Sequence, residues 1–89
     1  MSKRQKLIER FLVIPNDFTY DELVQVLKLF GYMEDKSGKT SGSAVRFIRE
    51  NSFSQIRFHK PHPQKIIKRY ILQYIKETLE SEGLLGVIT

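Results

Sequence analysis

There is no cysteine among the 89 residues. That excludes a disulfide framework, a thiolate zinc site and a cysteine nucleophile, and it fits a reducing cytoplasm. No apolar run approaches the roughly 20 residues of a membrane span, and no stretch reads as a signal-peptide core, so a cytoplasmic chain with no membrane partner is expected. Breakers are few: three prolines and five glycines leave no linker and no visible internal repeat. Acidic residues are nearly missing from one stretch. Residues 36–69 hold nine Lys/Arg against Glu50 alone, a balance of +8, whereas residues 1–35 balance at −1 and residues 70–89 at −2. Cations gathered in this way point to a face for a polyanion; the plainer alternative is a solvated basic surface.

What is present suits a single small α+β domain over residues 1–89. A chain of this length buries only about 60–65% of its unfolded surface, so its stability is modest. Leu7, Ile8, Phe11 and Leu12 form a one-sided stripe for a leading helix, residues 1–14, with Ser2 as its cap and Pro15 as its stop. Thr19 and Glu22 match a capping box, with Phe18 and Leu23 spaced for a hydrophobic staple, so a second helix follows and ends at Gly31. The period then changes. A short strand at 32–34, a strand at 43–49 and a strand at 54–58 put Val45, Phe47, Ile56 and Phe58 on one face. Ala44, Arg46, Ile48 and Arg57 fall on the other, giving a sheet with one covered and one cationic face. Between the first two strands, Lys36 and Lys39 lie in a glycine-bearing loop that lacks phosphate-loop spacing; it is a hairpin tip or a loop that touches phosphate.

The most informative stretch joins the third strand to the last helix. It carries both histidines, His59 and His62, together with Arg57, Lys60 and Lys65, and it has Pro61 and Pro63 beside His62. The last helix is expected over about residues 63–82, with Ile66, Ile67, Tyr70, Ile71, Tyr74, Ile75 and Leu79 as its buried stripe and Gly83 as its end. A helix beginning here would offer unpaired N–H groups to an anion beside the imidazoles. Histidine suits proton transfer near neutrality, and Lys60, Lys65, Lys68 and Arg57 suit phosphate. His59 and His62 have no third ligand close by, so no metal site and no cofactor is expected. Ser43 has nothing visible to activate it as a nucleophile. Both histidines also read as ordinary exposed joint residues.

The order helix, three strands, helix, with Gly31-Tyr32, Gly42-Ser43, the strand at 45–48, Ile56-Arg57-Phe58-His59 and the helix from Lys65 to Gly83, resembles the HicA family over about residues 19–85. These are small RNA-cleaving toxins of bacterial toxin–antitoxin pairs. The resemblance implies a fold like the double-stranded-RNA-binding domain, a three-stranded antiparallel sheet with helices on one face, to which residues 1–14 add a helix. It implies metal-free cleavage of messenger RNA and neutralisation by a HicB-like antitoxin. The family's motif is Gly-Ser-His, with the histidine taken as catalytic; here it reads Gly42-Ser43-Ala44. Ala44 can neither give nor take a proton. Three readings follow: an inactivated chain, a branch that works differently, or chemistry carried by His59 and His62. On the resemblance, Ala44 marks the catalytic position beside His59 and His62, and Lys36, Lys39, Ser43, Arg46, Arg57, Lys60, Lys65 and Lys68 contact RNA. The alternatives are a non-catalytic RNA-binding module of the same architecture and a protein-interaction domain.

Overall fold

The structure is a computed structural model that describes residues 3–35, 44–50, 55–61 and 65–85. Its elements are α1 (Lys3–Leu12), α2 (Tyr20–Leu29), β1 (Tyr32–Glu34), β2 (Ala44–Arg49), β3 (Gln55–His59) and α3 (Arg69–Ser81). This is the expected α+β order with an added leading helix. Ser2, the expected cap of α1, lies outside the described residues.

Thr19 sets the start of α2. Its hydroxyl accepts the Glu22 N–H at 3.2 Å, and the Glu22 carboxylate accepts the Thr19 N–H at 2.9 Å, completing the capping box. Phe18 and Leu23, the staple pair, are both fully buried. Arg10 then ties α1 to this cap, donating to the Glu22 carboxylate at 2.7 Å and to Asp17 at 2.8 Å. Burial alone would raise the Glu22 carboxyl, but the bonds from Thr19 and the charge of Arg10 outweigh it and hold the group below its ordinary value. A lowered folded-state value gives stability that is present above the unfolded value and is lost as pH falls through the folded one. Thr19→Ala is therefore expected to cost about 1 kcal/mol at neutral pH. The difference should shrink below about pH 4, as read from urea midpoints at each pH.

Past the end of α1 the chain makes an unusual turn. Ile14 takes a φ of 51°, a left-handed conformation that a β-branched residue adopts only at a cost, about 1–2 kcal/mol. Its carbonyl accepts the Arg69 Nε–H at 2.9 Å, which ties the turn to the start of α3.

The sheet is antiparallel in the order β1-β2-β3. Val45, Phe47, Ile56 and Phe58 point into the core as the alternation requires, and the rings of Phe47 and Phe58 stack at 5.9 Å. Across the core stand Phe11, Leu23, Leu27, Leu72 and Ile75 from the helices.

The last helix departs from expectation. It begins at Arg69, with Lys68 as an extended N-cap, and not near Pro63. Residues 65–67 are extended and lie antiparallel to residues 18–20, with the Tyr20 N–H on the Lys65 carbonyl and the Ile67 N–H on the Phe18 carbonyl, both at 2.8 Å. Ile66 and Ile67 are stiff, β-branched neighbours, and the α2 cap offers backbone partners that a helix would forgo. The later start rotates the stripe. Ile71, Leu72, Ile75 and Leu79 are buried, while Tyr70 and Tyr74 are exposed. α3 ends in a Schellman motif, with the Gly83 N–H on the Glu80 carbonyl and the Leu84 N–H on the Leu79 carbonyl. Leu84 and Leu85 fold back against the core.

The direction of α3 follows from its contacts. Lys65, just before it, bonds Tyr20, whose ring meets Phe58 at 6.2 Å and carries Lys60 at 5.4 Å. Tyr74 reaches Arg57 and Gln55, and Glu82 meets Arg49 at 3.5 Å. The helix thus runs antiparallel to β3, starting beside the His59 end.

Candidate functional site

The face of the sheet turned from the helices carries Ala44, Arg46 and Ile48 on β2, registered one to one with His59, Arg57 and Gln55 on β3. The Arg57 N–H is directed away from β2, toward the Tyr74 hydroxyl at 3.3 Å, and the Asp35 N–H bonds the Arg46 carbonyl on the other side at 2.8 Å. Arg46 and Arg57 are therefore a non-hydrogen-bonded pair, and so are Ala44 and His59 two residues along. In such pairs the Cα atoms approach to about 4.5 Å, and facing side chains stand side by side. A histidine at position 44 would lie against His59. His59 is exposed.

Two arginines directly opposed repel one another. Here Asp35, beyond β1, forms an ion pair with Arg46 and relieves that repulsion. Arg46, expected to contact RNA phosphate, is partly neutralised within the chain by this pair. None of the ion pairs among the described residues engages Arg57, Lys60, Lys65 or Lys68. Lys60 lies over the Tyr20 ring, an arrangement that holds its ammonium in place beside the strand end. Burial chiefly, then the charges of Glu34 and Asp21, push the Tyr20 phenol above its ordinary value, so the ring stays neutral beneath the cation.

The structure thus brings together Ala44, His59, Arg57 and Arg46 on one face, with Lys60 and Lys65 at its adjoining end and Lys68 at the start of α3. Lys36, Lys39, Ser43 and His62 lie outside the described residues. The helix start expected near Pro63 is found at Arg69, ten residues after His59. Two other cations of the basic stretch face elsewhere: Arg49 pairs with Glu82, and Arg69 bonds the Ile14 carbonyl. Asp35, Tyr20 and Tyr74 belong to the site's surroundings although sequence reasoning missed them. Their partners are 11, 40 and 17 residues away, and no local pattern announces such contacts. A separate groove of about 270 Å³ lies between α1 and α2, lined by Lys3, Arg4, Leu7, Gln25, Lys28 and Leu29. It holds none of the expected site residues. No helix among the described residues is long and apolar enough to cross a membrane.

A family model described as the HicA toxin of bacterial toxin–antitoxin matches residues 20–81, the span from α2 to the end of α3. No curated protein matches the chain, and no solved structure does.

Proposed function

This chain belongs to the HicA toxin family, and on that premise we propose that its exposed sheet face binds messenger RNA for metal-free cleavage and that a HicB-like antitoxin neutralises it by covering that face. The observation that carries the reading is the cross-strand pairing of Ala44 with His59. Cleavage without metal needs the 2′-oxygen to attack the adjacent phosphorus while the bond to the 5′-oxygen breaks. One group accepts the 2′-hydroxyl proton and another gives a proton to the departing 5′-oxygen, leaving a cyclic phosphate and a 5′-hydroxyl. The family's histidine position and His59 stand side by side, as two proton carriers on one phosphate require. Arg57, exposed next to them on β3, and Lys60 at the strand end supply positive charge for the phosphoryl oxygens.

With alanine at position 44 one of the two carriers is missing, so this chain binds RNA and cleaves it slowly or not at all. Ala44 is also what favours the second reading, a non-catalytic RNA-binding member of the family.

Both readings are tested by fluorescence anisotropy on a short labelled RNA across salt concentrations, with cleavage followed on a gel in EDTA. If Arg57, Lys60, Lys65 and Lys68 each neutralise a phosphate, affinity should fall with salt at a log–log slope near about −3. Any residual cleavage should persist in EDTA. Affinity that does not change with salt would remove both readings and leave the protein-interaction role.

A further inference from the structure

The most exposed large aromatic side chain among the described residues is Tyr70, at 70%. Its place follows from the direction of α3. Tyr74, one turn later, has its hydroxyl on the Gln55 carbonyl and the Arg57 N–H. Four helical residues rise about 6 Å, close to the span of two strand residues at about 3.3 Å each. Tyr70 therefore falls about two strand residues nearer the His59 end of β3 than the Tyr74 hydroxyl does. A helical side chain leans toward the N-terminus of its helix, which here is the end beside Lys60, Lys65 and Lys68.

A ring presented to water beside a row of cations is the arrangement by which single strands are held, the cations following the backbone while the ring stacks on an unpaired base. We propose that Tyr70 is a nucleobase-stacking subsite for single-stranded RNA. The inference rests on the RNA reading given above, and it names which form of RNA that face takes. The imidazole of His59 points to the open side of the sheet and Tyr70 belongs to the helix layer. A strand joining them passes around the edge of β3 by Lys60. The stacked base is thus a neighbour along the strand and not the one at the phosphate over Ala44 and His59. A duplex keeps its bases stacked on one another and cannot offer one to Tyr70.

The test compares the intact chain with Tyr70→Ala and Tyr70→Phe, by anisotropy, on a labelled single strand and on the same strand annealed to its complement. Tyr70→Ala should weaken single-strand binding by about 5- to 150-fold, the range for losing one base–aromatic stack. Tyr70→Phe should stay within about twofold, because the ring face is kept. The salt slope should be the same for all three, since no phosphate contact is lost. Binding to the duplex should be weaker and indifferent to Tyr70→Ala. If Tyr70→Ala binds the single strand like the unaltered chain while Arg57→Gln weakens it, the subsite is overturned and the RNA reading stands. If the unaltered chain binds neither form of RNA, the RNA reading is overturned and the subsite falls with it.

Discussion

Ala44→His is expected to raise RNA cleavage by about 10²–10⁴-fold, the usual contribution of one positioned proton-transfer group. The expectation comes from register. Position 44 is opposite His59 in a non-hydrogen-bonded pair, where facing side chains are closest. The strand backbone is already in place, so the substitution adds a side chain without asking for a rearrangement. Ala44 is only partly buried, and its side chain lies on the face away from the core. The gain should depend on the partner. In an Ala44→His background, His59→Ala should return cleavage to near its starting level, whereas His59→Ala alone should change little. Rates on a labelled RNA in EDTA give both numbers. If Ala44→His cleaves no faster than the unaltered chain, the pairing is not a catalytic one.

Leu72→Ala carries the largest expected cost to stability, about 2–5 kcal/mol. Leu72 is fully buried on α3 and packs in the cluster that includes Leu27, Phe47, Ile56 and Ile75. Truncation removes its transfer energy and leaves a cavity that neighbours from both layers fill only in part. In a small domain with a total stability of about 5–15 kcal/mol, such a loss leaves a substantial unfolded fraction. The informative control is Tyr70→Ala, two residues away and largely in solvent, which should fall within about 0.5 kcal/mol of the unaltered chain. Urea denaturation of the pair reads the phase of the helix directly. Equal losses at both positions would mean that α3 is rotated from the arrangement described here.

The covered face of the sheet was legible because strand alternation is strict. Val45 and Phe47 on β2, and Ile56 and Phe58 on β3, had one way to be buried, and that fixed Arg57 and His59 on the opposite side. The start of α2 was legible because Thr19 and Glu22 are three residues apart and need no distant partner. The start of α3 was not. Residues 65–67 are held by backbone bonds to residues 18–20, a pairing across some 47 residues that leaves no trace in local periodicity. Once Ile66 and Ile67 are removed from the helix, the stripe through Leu72 becomes the better one and both tyrosines turn outward. The site follows the same division. That His59 shares a face with Arg57 could be read from alternation, whereas its register with Ala44 depends on where β2 and β3 align. The withdrawal of Arg46 into a pair with Asp35 depends on a neighbouring strand. Spacing alone supplied neither.

The most direct measurement is a titration of the isotopically labelled chain with single-stranded RNA, followed by backbone amide shifts in NMR. The expected result is movement concentrated at Ala44, Arg57, His59, Lys60 and Tyr70, with the α1–α2 groove around Leu7 and Lys28 unchanged. Shifts confined to that groove, with the open face of the sheet silent, would contradict it.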